Sequence, residues 1–196
     1  ASEAIQSPTV TILGNNINAS NTSDNNWTAT HTVVANDTDG PVSFTIDYVD
    51  LAGNAGTQVT TASGSGVTVD KAAPTLTTVT IASNNTNDTS LAKKDSIVTL
   101  SFTTSEAIQS PTVTILGNSV NASNTSGNNW EAIYTVVAND SDGAVNFTID
   151  YNDLAGNAGT QVTTPTSGSG VTIDKEAPTL TTVTIKSDNT NNSLAK

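Results

Sequence analysis

The side chains best equipped for chemistry in this 196-residue chain are its carboxylates. Asp37 and Asp39 stand in an Asn-Asp-Thr-Asp-Gly turn, and Asp140 and Asp142 in Asn-Asp-Ser-Asp-Gly. Asp153 and Asn157 bracket Leu-Ala-Gly, with Asp150 just upstream. Asp70 and Asp174 each precede a lysine, and Glu106 follows Thr-Thr-Ser. Acids set among Asp, Asn and Gly are the surroundings of cation sites and tight turns, not of the cleft in which paired carboxylates hydrolyse a glycoside. Calcium is the chemistry they fit, because it gathers carboxylate, carbonyl and amide oxygens. The competing reading is an ordinary turn, in which Asp and Asn bond their own backbone and Gly takes positive φ. The helix-flanked loop of an EF-hand is not present.

What must hold these acids in place is a β protein. The chain has 18 acids, six lysines and a net charge of −12. That balance disfavours a phosphate-binding surface, so neither nucleic acid nor an anionic membrane is expected as a partner. No run of about 18 apolar residues is present, and no membrane insertion is expected. Cysteine is absent, so disulfides are excluded. Only 12 % of residues are charged, and β-branched residues abound, which does not describe a charged disordered tail. An extracellular location is expected from this composition.

The strongest signal is an internal repeat. Ser-Glu-Ala-Ile-Gln-Ser-Pro-Thr-Val-Thr-Ile-Leu-Gly-Asn at 2–15 recurs unchanged at 105–118. Trp27 matches Trp130, Asp-Leu-Ala-Gly-Asn-Ala-Gly-Thr at 50–57 matches 153–160, and Pro74 matches Pro178. A period of 103 to 104 residues is a whole small domain rather than a solenoid turn. The expected division is a partial repeat over 1–71 lacking its first two strands, a complete repeat over 72–175, and the first strand of a further repeat over 176–196. Two readings of the ends stay open. One is a piece of a longer array. The other is head-to-tail assembly, in which one chain's tail adds a strand to the next chain's first domain.

Period-2 alternation places strands in the complete repeat at 76–83, 96–105, 111–116, 130–137, 144–151 and around 161–173, with a weak one near Val120. No stretch has a helical period. About seven strands in about 100 residues is the pattern of an antiparallel β-sandwich. Catalysis finds little support in this frame. His31 is the one imidazole, its counterpart in the second copy is Tyr134, and a nucleophile needs a base held within reach. The chain is therefore not expected to be an enzyme.

Val-Thr-Leu-Ser-Phe-Thr-Thr-Ser-Glu-Ala-Ile at 98–108, Asn-Asp-Ser-Asp-Gly at 139–143, Phe-Thr-Ile-Asp-Tyr-Asn-Asp-Leu-Ala-Gly-Asn at 147–157 and Val-Thr-Ile-Asp-Lys-Glu-Ala-Pro-Thr at 171–179 carry a resemblance. They resemble the bacterial Ig-like tandem domains of giant extracellular adhesins and biofilm-associated surface proteins. That resemblance implies an all-β fold of tandem Ig-like antiparallel β-sandwiches arranged end to end at the cell surface, stiffened by calcium between domains. In such an arrangement the linker bearing Asp70 meets the domain end that carries Glu106, Asp150, Asp153 and Asn157. The far end of the preceding domain brings Asp37 and Asp39. Asp140, Asp142 and Asp174 repeat the set.

The expected function is a spacer: a filament-forming segment of a cell-surface adhesin whose partners are neighbouring copies of the same repeat, in cis or head-to-tail in trans. A rod needs one unit many times, whereas a specific binding face needs one sequence in one place. The alternative is a carbohydrate- or surface-binding adhesion module using loops such as 124–129 on a glycan or cell-surface target. Trp27 and Trp130 each begin a strand with inward alternation, which leaves no exposed aromatic pair to stack a sugar.

Overall fold

The computed structural model describes residues 1–187 and 190. The protein is all-β, with no helix among the described residues, and thus none long and apolar enough to cross a membrane. It divides into two compact units, Ala1–Ala72 and Ala73–Lys196.

Among its described residues the second unit has nine strands: β8 (Leu76–Ser83), β9 (Leu91–Ala92), β10 (Ile97–Thr104), β11 (Thr112–Ile115), β12 (Asn118–Ser126), β13 (Asn129–Thr135), β14 (Gly143–Ala144), β15 (Phe147–Asp150) and β16 (Thr172–Ile173). Six of them form one curled sheet in the order β15-β11-β12-β13-β10-β8, and β14-β16-β9 form a second sheet. All pairings are antiparallel except β16 with β9. Alternation explains the long strands. Val98, Leu100, Phe102 and Thr104 of β10 are buried and the residues between them are not, as a pleat with one face on the core requires. Val79 and Ile81 of β8, Val113 and Ile115 of β11, and Phe147 and Ile149 of β15 join them in a single core, closed by Val171 and Ile173.

Two differences from the sequence pattern have physical causes. The weak strand near Val120 is the longest in the protein, nine residues. Its first half pairs with β11 and its second half with β13, so backbone pairing on alternate sides holds a sequence with few apolar residues. The stretch around 161–164 contributes only an isolated bridge, Ile149 to Val162. The β11–β12 hairpin turns through Leu116 and Gly117, both at positive φ (51° and 76°). This is the two-residue turn whose twist matches paired strands.

The first unit contains β1 (Thr9–Ile12), β2 (Asn15–Asn18), β3 (Ser20–Ser23), β4 (Asn26–Thr28), β5 (Gly40–Pro41), β6 (Phe44–Asp47) and β7 (Thr68–Val69). They form three small sheets, β2-β1-β6, β3-β4 and β5-β7. Each pairing repeats one of the second unit. Val10 pairs Ile17 and Ile46 as Val113 pairs Val120 and Ile149. Partners corresponding to β8, β9 and β10 do not occur in this unit. Residues 176–187 form no strand, and Leu180, Val183 and Ile185 are exposed. Residues 188, 189 and 191–196 of the expected tail strand lie outside the described residues.

Candidate functional site

Two of the acid environments are each built twice. One is the loop after β15. Tyr151 is buried here, and its ring lies where a Cβ on Gly159 would stand, 2.2 Å away. That close approach lets the loop fold back, with the Gly159 N–H donating to the Tyr151 carbonyl at 2.9 Å. Burial raises the Tyr151 hydroxyl pKa, opposed by a hydrogen bond with the Leu76 backbone.

The fold-back buries Asp153 to 1 % exposure. Its Oδ1 accepts the N–H groups of Gly156 and Asn157 at 2.6 and 2.8 Å, and its Oδ2 accepts Asn157 Nδ2 at 2.6 Å. Burial pushes the Asp153 carboxyl up, but the donors from Asn157 and Gly156 outweigh it, and the group is held below the ordinary aspartate value. The Asp153 carbonyl accepts Gln109 Nε2 at 2.9 Å. Glu106, half-buried, brings a carboxylate oxygen within 4.8 Å of one on Asp153, and no ion pair among the described residues neutralises either. Two carboxylates at that distance repel unless a cation sits with them. Asp50 in the first unit repeats the loop: Oδ1 accepts the Asn54 N–H and Oδ2 accepts Asn54 Nδ2, each at 2.7 Å, and its pKa is lowered by the same donors.

The other environment is the Asp-Xaa-Asp-Gly turn, and it already holds a cation. Lys175 Nζ donates to the carbonyls of Ala138 (3.1 Å) and Asp140, and lies 3.8 Å from Asp142 Oδ1. Lys71 does the same with Ala35 (3.0 Å), Asp37 and Asp39 (3.9 Å). The first Asp of each turn faces its own strand. Asp140 accepts the Tyr134 hydroxyl at 2.9 and 3.1 Å and the Val137 N–H at 2.7 Å. Asp37 accepts the Val34 N–H at 2.8 Å and lies 2.8 Å from His31 Nε2. The Val34 N–H and the His31 ring hold Asp37 below the usual carboxylate range. His31 is thus a turn-fixing residue whose place Tyr134 takes in the second copy.

The remaining candidates are dispersed. Asp150 points outward and accepts Gln161 Nε2 at 2.8 Å, as Asp47 accepts Gln58 at 2.9 Å. Asp174 Oδ1 accepts the Glu176 N–H at 3.0 Å, and Asp70 Oδ1 accepts the Ala72 N–H at 3.1 Å. Each caps the turn that opens the next repeat. Among the described residues of the second unit, the structure brings together Glu106, Asp153 and Asn157 and separates them from Asp140, Asp142, Asp150 and Asp174. Sequence reasoning missed the roles of Lys71, Lys175, Gln58 and Gln161. Their signal was present: each recurs at the same place in both copies.

No known family model matches the chain, and no curated protein matches its sequence.

Proposed function

We propose that this chain is a stretch of an extracellular spacer: a rod of near-identical Ig-like β-sandwich domains, strung end to end, that extends a bacterial cell-surface adhesin. The observation that carries this reading is what the duplication keeps. The repeated residues are those that fold and fix the unit: the hairpin turn, the Asp-Asn loop and the lysine-bound turn. The one side chain with chemistry near neutral pH, His31, becomes Tyr134 in the second copy. A sequence that preserves scaffold and lets reactive groups drift suits a repeated mechanical part. Calcium is the cation we assign to Glu106 and Asp153, whose unneutralised oxygens suit a hard ion. Asp70, in the linker preceding this unit, is the sequence's candidate for a further ligand. Asp37, Asp39, Asp140 and Asp142 are left out of that assignment, because lysines lie beside the carboxylates of Asp39 and Asp142 and the carboxylates of Asp37 and Asp140 are bonded within their own turns.

Scattering from arrays of two, four and six repeats tests the spacer. Maximum dimension should rise by a constant increment per repeat, and a dimension that grows as a compact globule would overturn the reading. Calcium titration followed by thermal melting tests the metal separately. Calcium should raise the melting temperature of the native chain, and chelator should reverse this. Glu106→Gln should abolish the increase. A chain indifferent to both additions removes calcium and leaves the rod intact.

A further inference from the structure

In the second unit one short segment of chain bonds both edges of the six-stranded sheet, through Val162 and Thr166. We propose that residues 161–167 are a strap that guards these edges, and that its role is to keep β8 from pairing with β8 of another copy of this chain.

An edge strand presents a row of unpaired N–H and C=O groups to any strand that approaches it. The sheet runs β15-β11-β12-β13-β10-β8, so β15 and β8 are its edges. Val162 covers the first. Its N–H donates to the Ile149 carbonyl at 3.1 Å, and the Ile149 N–H donates to the Val162 carbonyl at 2.9 Å. Thr166 covers the second. Its N–H donates to the Val79 carbonyl at 2.9 Å, and the Val79 N–H donates to Thr166 Oγ1 at 2.8 Å. A side-chain oxygen thus accepts where the carbonyl of a further strand would. Pro165, between the two contacts, has no N–H to leave exposed. The end of β8 is closed separately: the Ser83 N–H donates to the Thr89 carbonyl at 2.8 Å, and Ser83 Oγ donates to the Leu91 carbonyl at 2.6 Å.

Of the two edges, β8 is the one that needs a guard. β15 has four residues and ends in Asp150. β8 has eight, Leu-Thr-Thr-Val-Thr-Ile-Ala-Ser, with no charge and no proline, and so lacks the side chains that usually blunt an edge. It is also complementary to itself. The outward bonds of Val79 and Ser83 place the backbone of Ile81 on the same open side, because a strand repeats every two residues. Antiparallel pairing about a twofold axis at Thr80 would set Val79 against Ile81 on the core face and Thr80 against Thr80 on the outer face. Two sheets would then join into one. Thr166, bonded to Val79 in both directions, occupies the place that Ile81 of the second copy would take. The guard follows from the sheet of the second unit alone and depends neither on the adhesin reading nor on calcium.

The first copy has a shorter version of this loop, Thr-Thr-Ala-Ser-Gly-Ser-Gly at 60–66 against Thr-Thr-Pro-Thr-Ser-Gly-Ser-Gly at 163–170. Deleting Thr166 from the full chain therefore gives the second loop a length the repeat already uses. Hydrogen exchange by mass spectrometry, at two protein concentrations about a hundredfold apart, reads the result. In the native chain, exchange across 77–81 should be the same at both. In the deletion variant it should be faster than native in dilute solution and at least about tenfold slower at the higher concentration than at the lower, as β8 finds a second copy. Thr166→Val, which removes the hydroxyl and keeps the loop length, should shift exchange in the same directions by less. Exchange across 129–135 in β13 reports whether the deletion variant is folded, and where it is not, Thr166→Val is read in its place. A folded variant whose exchange across 77–81 ignores concentration overturns the proposal. So does a native chain in which that exchange already slows with concentration. Because the readout is local to β8, failure here leaves the array dimensions and the calcium shift free to stand.

Discussion

The two units are one sequence folded with and without its covering strands. In the second, Val113, Ile115, Phe147, Ile149 and Tyr151 are buried against β8 and β10. In the first, the matching Ile12, Phe44, Ile46 and Tyr48 are only half-buried. Yet the hairpin of β1 and β2, the Asp50–Asn54 loop and the Lys71 turn keep the geometry of their counterparts. Local hydrogen bonds and turn residues thus specify the shape of each piece, while the hydrophobic stabilisation comes from two long strands that pack across it. The distinction is between what shapes the unit and what secures it, and paired substitutions at equivalent positions separate the two.

The largest asymmetry is expected in the core. Ile149→Ala removes a fully buried side chain next to Val113 and should cost the second unit about 2–5 kcal/mol. Ile46→Ala, at the same place in the first unit, should cost no more than about 1 kcal/mol, because water already reaches that side chain. Denaturant unfolding followed by unit-resolved hydrogen exchange measures both. Equal costs would mean that β8 and β10 do not seal the second core.

A smaller asymmetry is expected where Gly meets Tyr. A Cβ at Gly159 would stand 2.2 Å from the Tyr151 ring, and one at Gly56 would stand 2.1 Å from the Tyr48 ring. The collisions are alike, but the rings differ in freedom. Tyr151 is fixed in the core, so Gly159→Ala should destabilise by about 1–3 kcal/mol. Tyr48 has room to swing outward, and Gly56→Ala should cost less than half as much. Melting of the two variants side by side decides this, and a larger loss from Gly56→Ala would contradict the packing difference.

These pairs also show what was legible in the sequence. The strands of the second unit were readable because β10 alternates Val98, Leu100 and Phe102 against polar neighbours, and β8 alternates Val79 and Ile81. β12 was legible only as a weak strand near Val120, because Asn118–Ser126 has too few apolar residues for its full length to show. Its partners hold it through backbone bonds that leave no mark on side-chain type. Of the site, the Asp153–Asn157 loop could be read from its Asp, Gly and Asn. The division of the acids could not. Asp140 and Asp153 look alike as Asp in a Gly-containing turn, and only the fold brings Lys175 to the first and Glu106 to the second. Recurrence of Lys71 and Lys175 after Asp70 and Asp174 was the one clue to a cation within the chain.

The acid loops sharpen the comparison through pH. Donors from Asn54 and Asn157 keep Asp50 and Asp153 ionised below the ordinary aspartate value of 3.8. The unfolded chain therefore binds protons first as pH falls. The stabilisation is complete above the unfolded value and disappears as pH drops through the lower folded one. Asp153→Asn should lower the melting temperature at pH 7 and flatten its fall in acid. Asp50→Asn should do the same to the first unit by a smaller margin, since its loop is more exposed. An acid transition as steep in Asp153→Asn as in the native chain would assign the pH dependence to other carboxylates.

The smallest expected effect reverses the usual direction, with the first unit gaining. Its β3–β4 turn places Asp24 at φ 46°, where the second unit has Gly127 at φ 53°. A side chain in the left-handed region carries a steric cost that Gly avoids, although Asp tolerates the region better than most residues. The Asp24 carbonyl accepts Asn21 Nδ2 at 2.8 Å, as the Gly127 carbonyl accepts Asn124 Nδ2 at 2.7 Å, so the substitution leaves the bond in place. Asp24→Gly should then stabilise the β3–β4 hairpin by no more than about 1 kcal/mol, the gain being reduced by the greater freedom of Gly in the unfolded chain. Gly127→Asp should destabilise its own hairpin by a similar amount. Amide exchange in the two hairpins reads these shifts, and the gain and the loss should match in size. A loss at Gly127 far exceeding the gain at Asp24 would show that covering strands tighten even the turns they do not reach.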